Sequence, residues 1–355
     1  MAGHVPTPPA PDATLNRRQV LRLGLCTGTA LALPGVLSGC RPKDGPRLLA
    51  ARASLPAAWL EALPDPWRSQ LVDTTAIVAQ ALQDPTQGSG GEPAMLSLPD
   101  GWASPLPADR LQPFGAERVL KRLSAAAAPV SRLFRPEGQP PQAFPWAFSP
   151  WVLVLRSQPA LAVRARGREG WAVLIDPALQ DRLVLPSSPR VVMEIFGRDP
   201  TRLRALRSQA LASDDRNGLN LLLSGEATAA VMPLQRLIPL LQRDQRLEVV
   251  LPASGAPLSW QLLLRPAAAG ADPPLEWLGA LLEPPLLNKV LAGGWVPPLP
   301  RRELAPVLSR MPRVLADLLL PSDAVLERCR SLPPLSPQRR LAMQTLWDAS
   351  APQSR

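Results

Sequence analysis

Tyrosine is absent from the chain, histidine occurs once, at His4, and cysteine three times, at Cys26, Cys40 and Cys329. Each scarcity excludes chemistry. A serine or cysteine nucleophile activated by histidine needs an imidazole within reach, and the single one stands fourth in a polar, proline-bearing leader. Zinc and copper sites built on His and Cys clusters are excluded by the same shortage, and no metal or other cofactor is expected. Lysine is as rare, with Lys43, Lys121 and Lys289 only, and none is spaced from a serine in a way that suggests a Ser/Lys dyad. No enzymatic activity is therefore expected.

What is abundant is apolar surface, proline and arginine. Apolar types make up 46% of residues and charged types 19%, a globular balance, and 355 residues at roughly 100–200 per domain allow two domains. Forty-six prolines against 22 glycines imply many short elements broken by rigid turns. The formal charge of +10 is almost all guanidinium. These arginines are scattered and no basic stretch is interleaved with aromatics, so nucleic acid is not an expected partner; an anionic membrane surface or an anionic ligand suits the excess better.

The first forty residues read as an export signal. Arg17 and Arg18 open a mildly apolar run that lasts to Cys40, and this resembles a twin-arginine signal. Leu37-Ser38-Gly39-Cys40 resembles the box at which bacterial lipoproteins are cleaved and acylated. A transmembrane anchor fits less well, because Val20 to Gly39 is barely long enough to span and contains Arg22 and Pro34. The expectation is a signal peptide over 1–39, a lipidated Cys40 opening a tether over 40–48, and a periplasmic protein held to the membrane by its lipid. Loss of 1–39 would leave one ordinary thiol, Cys329, and no internal disulfide.

Beyond the tether, Leu71 to Leu82 has helical spacing, 85–93 reads as a loop, and Ala94 to Leu98 is a short strand stopped by Pro99-Asp100-Gly101. A helix is expected over 115–127. Five prolines over 135–150 precede a buried strand at Trp151 to Leu155. Helices are expected over 200–211, 218–223 and 233–242, with strands over 227–232 and 247–251. After 254–257 a strand over 260–264 follows, then helices near 273–282, 284–292, 301–320 and 336–347. Strands separated by helices imply parallel sheets covered on both faces. The fold class is α/β: two lobes, each a mostly parallel sheet flanked by helices, joined by crossings near 145–152 and 252–258. The first lobe takes 49–149 and 257–355 with the C-terminal helices, and the second takes 150–256.

Gly170-Trp171-Ala172-Val173-Leu174-Ile175-Asp176-Pro177, then Arg182 to Pro186 and Ser187-Ser188-Pro189-Arg190, follow a helix, strand, loop, helix order. With Pro145 to Ser149, Ser224 to Ala227, Pro252 to Trp260 and Gly294 to Pro297, the chain resembles the solute-binding proteins of ABC importers, in the polyamine-type branch of the type II periplasmic-binding fold. The resemblance implies a monomeric receptor that captures a small organic solute between its lobes and delivers it to permease subunits. Carried over by position, it implies that the cleft is lined by Arg52, Ser54, Asp100, Trp102, Trp146, Phe148, Ser149, Ser187, Ser188, Arg190, Gln235, Trp260, Gln261 and Trp295. The branch places carboxylates at several of these loops, where this chain has Ala53, Ser188, Val191 and Gln261; Asp100 alone remains as a buried acid. An envelope lipoprotein that keeps the scaffold, has lost solute binding and contacts a protein partner is the alternative. It predicts a cleft filled by the protein's own side chains.

Overall fold

The computed structural model describes residues 45–83 and 92–352; Arg17, Arg18 and Cys40, and with them the expected signal and lipid site, lie outside the described residues. Nine strands are described: β1 (Arg47–Ala51), β2 (Arg68–Val72), β3 (Met95–Pro99), β4 (Ala143–Arg156), β5 (Leu183–Leu185), β6 (Ala210–Ser213), β7 (Ala229–Pro233), β8 (Leu247–Val250) and β9 (Leu258–Leu264). Their order is β2-β1-β3-β9-β4-β7-β5-β6, with β8 also on β4. β1 pairs in parallel with β2 and β3, and β5 with β6 and β7. The pairings through β9 and β4 are antiparallel. Each parallel set has helices in its connections, the arrangement of a two-lobe α/β protein.

β4 joins the lobes. Its residues 143–150 pair with β9 in the first lobe, and 151–156 pair with β7 and β8 in the second. Sequence periodicity starts this strand at Trp151, because the prolines before it read as irregular chain. Proline is tolerated where the ladder is interrupted, and here the register shifts between Pro145 and Ala147, while Pro150 stands at the change of partner. The second crossing, 251–257, leads from β8 to β9. Gly255 turns there with φ of 78°, and a Cβ would strike the Arg328 carbonyl, so only glycine fits. Trp171 is a structural residue of this turn, donating from Nε1 to the Gly255 carbonyl at 2.9 Å.

Strand alternation divides the apolar interior. Val152 and Val154 face a core continuous with that of the first lobe, whereas Leu153 and Leu155 face a second core with Phe196, Leu203 and Leu206. Other departures have local causes. Leu71 belongs to β2, captured by parallel pairing to β1, and the helix follows at Thr75–Gln83. The helix at Pro200–Gln209 stops short of Ala210, which opens β6 beside β5. Over 115–127 the chain forms short turns, Glu117–Leu120 and Ala125–Ala127, separated by extended Ser124. The helix expected over 301–320 is two, Arg301–Leu308 and Arg313–Leu319, separated before Pro312.

The C-terminal segment crosses the joint a third time. Leu258 donates to the Arg330 carbonyl at 2.9 Å and Arg330 to the Ala256 carbonyl at 3.0 Å. The last helix, Pro337–Ala349, then packs on the helices Pro189–Phe196 and Pro200–Gln209 of the second lobe. The sequence reading grouped this helix with the first lobe. Arg207 explains its position: its guanidinium lies 4.2 Å from the Trp347 ring centroid and donates to the Trp347 carbonyl.

Candidate functional site

The strands β1, β3 and β9 end on one side of a cavity of about 820 Å³, and the loops after β5 and β7 close the other. This is the location open α/β sheets offer a ligand, where adjacent loops diverge. The volume suits a small organic molecule. From the first lobe come Asp100, Trp102, Gln261 and Trp295; from the second come Ser188, Arg190, Asp215 and Arg236, with Trp151 from β4 between them. Leu332, on the third crossing, completes the wall.

Eight of the expected residues line this space: Arg52, Asp100, Trp102, Ser188, Arg190, Gln235, Gln261 and Trp295. The other six do not, and strand parity explains most of them. In β9, Ser259 and Gln261 face the cavity, which turns Trp260 toward the core beside Phe148, ring centroids 5.3 Å apart. Trp260 is fixed there by Nε1 donating to Ser331 Oγ at 2.9 Å. Trp146 is buried between Trp59 and Trp295, at 5.3 and 4.9 Å. Ser149 accepts from the Gln235 backbone at 3.1 Å, holding the loop after β7. Ser187 accepts from Asp215 N at 3.0 Å and donates its own N–H to Asp215 Oδ1 at 3.2 Å, so it shapes the wall from behind. Ser54 is half-buried in the turn after β1, outside the cavity lining.

Sequence reasoning missed Asp215, Arg236, Trp151 and Leu332. Asp214-Asp215-Arg216-Asn217 before Gly218 was the available signal for the first: Asp214 accepts from Arg216 N and Asn217 N at 2.7 and 3.0 Å, a turn that presents Asp215. Nothing local marked Leu332, which reaches the cleft only because the chain crosses the joint again.

Trp295 is placed by a close approach. Gly294, with φ of 85°, brings its backbone so near Gln235 that a Cβ would lie 2.9 Å from the Gln235 Cα. Behind Trp295, Trp146 leads to Trp59, which stacks on Trp277 at 4.1 Å and 8°. Trp59 and Trp277 each donate from Nε1 to the other's carbonyl, at 3.0 and 2.7 Å. The aromatic wall therefore rests on a stack of buried rings, anchored by the reciprocal Trp59–Trp277 hydrogen bonds, rather than on loop side chains.

Charge in the cleft is uneven. Asp100 is only 8% exposed, and burial raises its pKa from 3.8 to about 7, against the opposing effects of the Trp260 and Gly101 N–H groups and the positive charge of Arg190. Arg190 and Arg236 are half-buried, and desolvation pushes both guanidinium pKa values down. Arg52 is paired with Asp73 at 3.0 Å in solvent, where such a pair contributes little. At neutral pH the groups facing the cavity thus lean positive.

The architecture is two sheet-based lobes joined by three crossings around a lined cleft, a fold that solved solute-binding proteins share. No family model matches the chain and no curated protein matches its sequence. Solved structures do match its fold. The spermidine/putrescine substrate-binding protein PotD of Streptococcus pneumoniae has a TM-score of 0.68 at 11% identity, covering 86% of this chain and 98% of that one. The Tp0655 (TpPotD) lipoprotein of Treponema pallidum has 0.63 at 12%, covering 86% and 99%. A putative spermidine/putrescine ABC transporter protein of Listeria monocytogenes has 0.62 at 15%, covering 86% and 98%.

Proposed function

We propose that this protein is the extracytoplasmic solute receptor of an ABC importer, capturing a small organic molecule between its lobes and presenting the closed form to permease subunits. The observation that carries the reading is the open cleft, about 820 Å³, lined from both lobes of a fold shared with transporter receptors. Closure about the crossings would bury the solute and give the permease a shape to recognise. No turnover is part of this role. An interaction lipoprotein without a solute would fill its cleft with its own side chains, and the exposed Trp102 beside half-buried Trp151 and Trp295 favours the receptor instead. The sequence supports anchoring through an acylated Cys40 after export guided by Arg17 and Arg18, with the monomer as the working unit.

Thermal unfolding against a broad library of amines, amino acids, peptides and organic acids tests the reading. One solute class is expected to raise the melting temperature and, in small-angle scattering, to contract the molecule. Stabilisation by no class, with no change in scattering, would overturn it.

A further inference from the structure

The receptor reading leaves the charge of the solute open, and the second-lobe wall answers it. Arg190 is the second residue of the helix Pro189–Phe196, where the helix dipole is positive and a cation is disfavoured unless something negative sits beside it. Glu194 and Asp100 lie close enough to act on it through space, but no carboxylate among the described residues forms an ion pair with it. Glu194, one turn on, is held by Arg198 at 2.6 Å. Arg190 itself reaches only the Pro333 carbonyl, at 2.5 Å, and its Nε is buried without a partner. Ser188, which precedes the helix, spends no hydroxyl on capping it and faces the cavity. Across the cleft, Gln261 is more than nine-tenths buried, and its carboxamide has no hydrogen bond among the described residues. The amide opens on the cavity, where a polar group of a guest can take the place of water on it.

A cationic solute meets the opposite conditions. The most buried carboxyl in the cleft, Asp100, is kept protonated below neutrality by its burial and is only about half ionised near pH 7, and Asp215 is exposed and already accepts from Ser187. Arg236, the other guanidinium facing the cavity, donates to the backbone carbonyls of Asp215 and Arg216 and enters no ion pair among the described residues.

Resting on the receptor reading, we infer that the solute carries a carboxylate, seated on Arg190 and Ser188 at the start of the 189–196 helix, with its apolar body against Trp102, Trp151 and Trp295 and a polar group on Gln261. Arg190 is the specificity-determining residue: it favours an organic acid over a di- or polyamine.

Isothermal titration of the purified protein tests this with a panel of aliphatic, aromatic and amino carboxylates beside putrescine, spermidine and thiamine. A carboxylate-bearing probe is expected to bind while the amines do not. Arg190→Gln should weaken that probe about ten- to a hundredfold, the value of a charge-assisted hydrogen bond. Arg190→Lys should recover part of the loss, and the unliganded melting temperatures of both variants establish that they fold. Asp100→Asn should strengthen the same probe at pH 8, since the amide cannot ionise against it. Binding of an amine that Asp100→Asn abolishes and Arg190→Gln improves would overturn the inference and leave the receptor standing. Silence toward every compound, together with unchanged scattering, would overturn both.

Discussion

The two walls of the cleft are built on different principles. The first-lobe wall is an extension of the core: Trp295 rests on Trp146, Trp146 on Trp59, and Trp59 on Trp277, while Asp100, just past the end of β3, and Gln261, in the middle of β9, sit almost wholly buried. The second-lobe wall is made of loop ends and helix starts, with arginines tied to backbone carbonyls and serines that hold turns. One wall is rigid and aromatic, the other polar and cationic. The proposed receptor role would use both, a fixed face to orient a guest and a charged face to select it.

The comparison breaks most sharply at Trp59. Removing it takes out the centre of the stack and the buried hydrogen bond its indole donates to the Trp277 carbonyl, so Trp59→Ala should cost about 3–5 kcal/mol in denaturant unfolding of the ligand-free protein. A loss below about 1 kcal/mol would mean that the first-lobe wall is not a core extension.

Asp100 gives the next largest effect, and its sign is set by linkage. Its folded pKa, about 7, lies above the ordinary 3.8, so the native state holds an extra proton between those values. Stability then falls as pH rises from about 4 to about 7 and is level above, and the charged form costs at most about 4 kcal/mol. Asp100→Asn should leave stability near pH 4 unchanged, raise the melting temperature at pH 8, and flatten this part of the pH profile. An equal profile for both proteins would show that the carboxyl is not desolvated.

The smallest effect is expected on the other lobe. Trp347→Ala removes the ring under Arg207, a half-buried cation–π contact on the last helix, and should cost about 1–2 kcal/mol in the same unfolding measurement. If it cost as much as Trp59→Ala, the clamp of the C-terminal helix would be as central as the stack, and the contrast between lobes would fail.

Much of the fold was legible because its signals are local. Trp171 with Leu174, the strand Leu183–Leu185 and the start at Pro189 fall in a run of twenty residues, and their order survives in the structure. The crossings near 145–152 and 252–258 were legible from proline density and the Gly255 turn. Which face of a strand meets the cavity was not. Trp260 and Gln261 are neighbours, and only the pairing of β9 between β3 and β4 decides that the amide looks out and the indole in. Asp215, Arg236 and Leu332 were missed for a related reason: each belongs to a turn whose place beside the cleft is set by elements far away in the chain. The third crossing was invisible because helical periodicity near 336–347 tells that a helix forms and not which lobe it rests on.

The absence of tyrosine has a consequence for light. Near-ultraviolet emission from this molecule is indole emission alone, and four of its ten indoles form an unbroken line from the interior of the first lobe to the floor of the cleft. Excitation absorbed at Trp277 has neighbouring rings within about 5 Å at each step toward Trp295. A guest seated on that last ring, as proposed, would change the glow of rings it never touches and give the protein its own optical reporter of occupancy.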